Sequence, residues 1–128
     1  KFMEIKSYKD LIVWQKSFNL VKEIYGLTNL FPAEEKFGLS SQMRRAVISI
    51  SSNIAEGYAR KSTKEYTNFI SIAYASGAEL ETQLLLAKSL KFISEEEFKN
   101  VNCFIEETMK MLNGLLGKLK SKLSSFSH

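Results

Sequence analysis

Apolar residues recur at alternating three- and four-residue steps along nearly the whole chain. The clearest series is Tyr66, Ile70, Ala73, Gly77, Leu80, Leu84 and Ala87, which keeps one stripe of a helix turned toward a partner. A second series gathers Leu39, Met43, Ala46, Ile50, Ile54 and Gly57. A third carries Phe98, Val101, Ile105, Met109, Leu112, Leu116, Leu119 and Leu123, and the first holds Leu11, Trp14, Phe18, Val21 and Tyr25. Four amphipathic helices follow.

Capping residues set their limits. Ser7 with Asp10 forms an N-cap pair, and Ser62 with Glu65 and Ser94 with Glu97 have the S-x-x-E form of a capping box. Pro32 ends the first helix, and Gly38 can delay the regular start of the second. The predicted helices cover 8–29, 34–60, 63–91 and 95–123 within a single domain, 1–128. Long helices joined by short turns predict an all-α fold, an antiparallel up-down-up-down four-helix bundle. An open helical array would need a solenoid-type repeat, and none is seen.

The first helix has more apolar surface than a monomeric bundle needs. Val13, Leu20, Ile24, Leu27 and Phe31 make a second stripe about 100° around from the first. On this reading Leu20, Ile24 and Leu27 are surplus and become candidate subunit contacts. Ile48 and Ala55, beside Arg44 and Arg45, lie away from the core stripe of the second helix. Ile72, Glu79 and Leu86 do so on the third. The expectation is a homo-oligomer in which Arg44 or Arg45 meets Glu79 or Glu81, within or between subunits.

Composition and candidate chemistry narrow the function. At 128 residues and 45% apolar content the chain can bury a core without disulfides or metals. The single Cys103 falls inside an amphipathic stretch, which points to a reduced compartment and a packing role. With no membrane-length apolar run and no secretory pattern, the reading is cytoplasmic with no membrane partner. A di-iron bundle needs Glu-x-x-His pairs, yet the only histidine is His128. Cys103 therefore has no internal base, no glycine-rich phosphate loop is present, and Glu79 and Glu81 point apart on their helix. No catalytic residue, cofactor or metal is expected, and the chain reads as a non-enzyme. Asn53, Glu56 and Gly57 read as elements of close helix packing and buried hydrogen bonding.

Net charge is +4, and its distribution matters more than its total. In an up-down-up-down bundle the N-terminus, the second turn and the C-terminus share one end. That end collects Lys6, Lys9, Arg60, Lys61, Lys64, Lys118, Lys120 and Lys122, whereas Glu34, Glu35, Glu95, Glu96 and Glu97 fall at the other. The basic end is a candidate phosphate-binding surface for RNA or DNA. The competing reading is a scaffold that docks a protein partner, with the basic charge incidental.

Several motifs act together: Trp14-Gln-Lys-Ser17, Phe31-Pro32 followed by Glu35, Gln42-x-Arg44-Arg45-Ala46, Ser49-Ile-Ser-Ser-Asn-Ile-Ala-Glu-Gly57 with Arg60, and Glu79-Leu-Glu-Thr-Gln-Leu84. In this combination, over roughly Tyr8 to Leu119, the chain resembles the bacterial four-helix bundle proteins encoded in 23S ribosomal RNA intervening sequences. The resemblance implies a homopentameric ring. That ring is similar to the accessory variability determinant of diversity-generating retroelements, which binds nucleic acid and a reverse transcriptase. Proteins of the intervening-sequence type have no established activity.

Overall fold

Ser94 and Glu97 show how local chemistry places a helix boundary. The Ser94 hydroxyl accepts from the Glu97 amide at 3.0 Å while the Glu97 carboxylate accepts from the Ser94 amide at 2.8 Å, and helix α4, Glu95–Phe126, begins there. Ser7 and Asp10 make the same reciprocal pair, but around a 3-10 turn, Tyr8–Asp10, that precedes α1, Ile12–Thr28. Ser62 opens α3, Thr63–Ser89, by accepting from the Glu65 amide at 3.1 Å. Helix α2, Leu39–Ala59, starts later than predicted because Gly38 interrupts the chain after a 3-10 turn at Ala33–Glu35. The Glu35 carboxylate, 3.1 Å from the Leu39 amide, serves as its cap. These features come from a computed structural model describing residues 4–126; His128 lies outside them.

Helix α1 packs on α2, α2 on α3, α3 on α4, and α4 returns to α1. Between α1 and α2, Ser17 bonds Ser51 (2.9 Å) and Arg44 bonds Thr28 (2.8 Å). Between α2 and α3, Ser49 bonds Ser76 (2.9 Å). Lys88 of α3 pairs with Glu95 (3.2 Å), and Lys16 of α1 with Glu107 (3.2 Å). The predicted stripes of α2, α3 and α4 form the interior, where Met43, Ile54, Ile70, Leu80, Leu84, Ile105 and Leu112 are fully buried. Each such side chain contributes about 1.5–3 kcal/mol by leaving water.

In α1 the two stripes exchange roles. Leu20 and Ile24 are completely buried and Leu27 nearly so, which makes them core rather than subunit contacts. In the aromatic stripe Leu11, Trp14 and Val21 are half-buried against the core, and Phe18 and Tyr25 are exposed. The compact aliphatics fill the interior. The rings lie along the outer seam, where Tyr8 meets Trp14 at 5.3 Å and Trp14 meets Phe18 at 5.0 Å, and the indole N–H and the phenols keep access to water.

Two glycines permit close helix approach. A Cβ on Gly57 would sit 2.8 Å from Phe69 Cβ, and one on Gly77 would strike the Met109 sulfur. Asn53 donates to the Ser49 carbonyl at 2.8 Å and hydroxyl at 3.0 Å, continuing the Ser49–Ser76 bond across the α2–α3 seam. Glu56, grouped with them in the sequence, is exposed and takes no part.

Candidate nucleic-acid and subunit interfaces

The basic residues emerge at helix ends and in the N-terminal segment, which keeps them in water. Lys6, Lys9, Arg60, Lys61, Lys64, Lys118, Lys120 and Lys122 are all exposed. Among the described residues the ion pairs are Lys16–Glu107 and Lys88–Glu95, and neither uses any of the eight. Asp10, next to Lys9, turns its carboxylate to the Lys6 and Ser7 amides at 2.8 and 3.3 Å. Arg60 lays its guanidinium over the Phe69 ring, 4.7 Å to the centroid, which leaves its N–H edges free. A groove lined by Ile5, Asp10, Tyr66 and Lys118 joins the N-terminal segment, the first turns of α3 and the last part of α4. Burial, then the neighbouring Tyr58, raise the Tyr66 phenol above the ordinary tyrosine value.

The interface candidates divide. Ile48, Ile72 and Leu86 are 42%, 49% and 48% exposed, so their apolar surface remains open to a partner. Arg44 is engaged inside the chain: its Nε donates to Thr28 Oγ1 at 2.8 Å, its Nη2 to Asn29 Oδ1 at 2.9 Å, and its plane covers Tyr25 at 4.5 Å. It clasps α1 to α2 and forms no ion pair with Glu79 or Glu81. Arg45 and Glu79 line one cleft of about 520 Å³ together with Phe37, Ser41, Gln42, Ser49 and Ser76, without an ion pair across it. Glu79 accepts from Gln83 Nε2 at 3.2 Å, and the buried Gln83 Oε1 has no hydrogen-bond partner among the described residues.

Residues beyond the predicted set share these surfaces. Phe37 is 89% exposed at the rim of the Arg45–Glu79 cleft. Residues 46–55 of α2 and 66–78 of α3 contain no charged side chain, although Ser52 and Ala75 lie in water beside Ile48 and Ile72. Charge depletion on an exposed helical face is the compositional mark of an interface centre. Those two runs are the signal that apolar periodicity alone overlooks. No helix among the described residues is long and apolar enough to cross a membrane. The described residues hold no group of three His, Cys, Asp or Glu side chains placed to bind a metal ion.

The sequence profile of the 23S rRNA-intervening sequence protein family matches residues 9–114. The chain belongs to this family. Among solved structures, it is similar to a protein of unknown function from the S23 ribosomal protein family of Bacteroides thetaiotaomicron. Identity is 26%, the TM-score is 0.77, and the match covers 82% of this chain and 98% of that one. A comparison with curated proteins returns no match. The matched span takes in all of α1, α2 and α3 and the first two thirds of α4. Lys118, Lys120 and Lys122 fall beyond the family profile.

Proposed function

We propose that this member of the intervening-sequence family is a non-enzymatic, homo-oligomeric accessory protein of the cytoplasm that holds RNA or DNA by its phosphates. The observation that carries the proposal is the set of eight exposed cations without carboxylate partners. The helices run antiparallel, up-down-up-down. Supporting this, partner numbers fall as residue numbers rise, from Ser17–Ser51 to Thr28–Arg44 between α1 and α2. In that arrangement Arg60, Lys61 and Lys64 face the same direction as Lys118, Lys120 and Lys122, with Lys6 and Lys9 beside them. Long flexible cations at one end suit a backbone read without sequence preference.

Copies associate through the charge-free outer faces of α2 and α3, centred on Ile48 and Ile72, with Arg45, Glu79 and Leu86 at the margin. A pentameric ring, the state the family resemblance implies, would repeat the basic end around an axis and multiply weak phosphate contacts by avidity. Replacing Arg60, Lys61, Lys64, Lys118, Lys120 and Lys122 by Gln tests the surface. Binding of a fluorescent structured RNA should fall at least tenfold with the circular dichroism spectrum intact; unchanged affinity would reject it.

A second reading rests on Phe37, whose near-complete exposure beside a polar cleft suits a protein partner, a reverse transcriptase in the branch that the resemblance points to. Capture of one stoichiometric protein after nuclease treatment, lost on Phe37→Ser, favours this scaffold; recovery of RNA alone rejects it.

A further inference from the structure

The helix-interior glycines fall into two groups. Gly57 and Gly77 are required by packing, but a Cβ on Gly26, Gly114 or Gly117 would meet nothing within 4 Å. An interior glycine weakens a helix relative to alanine, so a glycine with open space around it has no reason within the chain's own packing. Gly26 lines a cleft that also carries Lys22, Glu23 and Glu97, whereas Gly114 lines a more apolar groove. The groove, about 560 Å³, lies between the start of α1 and the later part of α4, with walls of Ile12, Val13, Met111 and Leu115. That volume is typical of a site enclosing one small organic ligand.

Its polar groups are few and unequal. The Asp10 carboxylate is held by the Lys6 and Ser7 amides. Lys118, exposed at the groove's edge, belongs to neither ion pair among the described residues. From Met111 to Lys118 the helix rises roughly 10 Å, the length of a medium aliphatic chain. The absent Gly114 side chain leaves that path open.

We propose that the groove binds a free single-chain amphiphile with an anionic head, such as a medium-chain carboxylate. The aliphatic tail lies over Gly114 between Ile12 and Leu115, and the head sits against the Lys118 ammonium. Binding rests on burial of the tail, and Lys118 selects the sign of the head. Lys118 is common to this groove and to the basic end, whereas Arg60 and Lys61 do not line the groove, so substitutions there separate phosphate binding from amphiphile binding.

The test is isothermal titration of the full chain with sodium decanoate below its micellar concentration, with decyltrimethylammonium as the opposite-charge probe. Gly114→Leu fills the groove from a position where a Cβ meets no atom, and it raises helix propensity, so this variant should melt no lower than the parent. Expected are saturable binding of one decanoate per chain and at least a tenfold loss in Gly114→Leu. Lys118→Gln should weaken decanoate two- to fivefold, as for an exposed charge pair, without weakening the cation. Arg60→Gln with Lys61→Gln should leave decanoate binding unchanged. Absence of saturable binding, equal affinity in Gly114→Leu, or equal affinity for the cationic probe would overturn the proposal. So would a change of particle mass on Gly114→Leu, which would assign the groove to a contact between copies.

Discussion

Replacing Gly57 by alanine sets two opposing effects of similar size against each other. In a free helix the change would stabilise by about 1 kcal/mol, because glycine loses more backbone freedom on folding. Here the new Cβ would stand 2.8 Å from Phe69 Cβ and 3.0 Å from a Tyr66 ring carbon. Ordinary contact begins near 3.4 Å, so Phe69 Cβ would have to withdraw by about 0.6 Å. A Cβ cannot rotate away from its own backbone, and the shift therefore falls on α3 as a whole. Overpacking of this kind costs about 1–3 kcal/mol, which outweighs the propensity gain at most of that range. The expected net loss is about 1 kcal/mol, or a fall in Tm of about 3–5 °C for a chain of this size. Gly117→Ala, with nothing within 4 Å of its Cβ, should instead raise Tm by a similar amount. Thermal unfolding followed by circular dichroism at one fixed protein concentration measures both, since assembly would otherwise contribute. A Gly57→Ala protein that melts at or above the parent would refute the reasoning that α2 and α3 meet at a glycine contact.

Arg44→Lys keeps the charge but loses the two-point grip on Thr28 and Asn29 and the cover on Tyr25, and denaturant titration should show a loss of about 1–2 kcal/mol. Lys91 has φ 63°, the left-handed position after α3, where Phe92 N–H returns to the Ala87 carbonyl at 2.9 Å; Lys91→Gly should stabilise by about 0.5–1 kcal/mol in the same titration, and a loss would contradict this turn. Tyr66 has a folded-state pKa raised by burial and by Tyr58, so the folded chain keeps a proton that the unfolded chain loses. Its contribution is present below the unfolded value near 10 and disappears as pH rises through the folded value. Absorbance titration at 295 nm should show a late component that Tyr66→Phe removes, and a parent titration identical to that of Tyr66→Phe would contradict it.

Much of the fold was legible because its determinants are local. Ser94 with Glu97 and Ser62 with Glu65 set helix starts through atoms three residues apart, and a stripe such as Ile70, Leu80 and Leu84 needs only helical periodicity. Helix α1 was read with its faces exchanged because two apolar stripes of equal length are indistinguishable until a neighbouring helix is in place. The Ser17–Ser51 bond and the aromatic seam then decide which one turns inward. Arg44 was assigned to carboxylates because charge suggests charge, while its actual partners are an alcohol, an amide and a ring. The glycines gave no hint of their division, since clearance is a property of neighbouring helices. The basic end is visible as a list of lysines, but their freedom from carboxylates depends on where Asp10 and Glu65 place their oxygens.

The most direct measurement of function is the salt dependence of affinity for a structured RNA, by fluorescence anisotropy, on a species whose mass is fixed by light scattering. Expected is a particle of several 14.6 kDa chains whose log affinity falls linearly with log salt concentration, the slope giving the number of phosphates neutralised. A particle of one chain, or RNA binding that is absent at low salt or indifferent to salt, would contradict the oligomeric phosphate-binding protein proposed here.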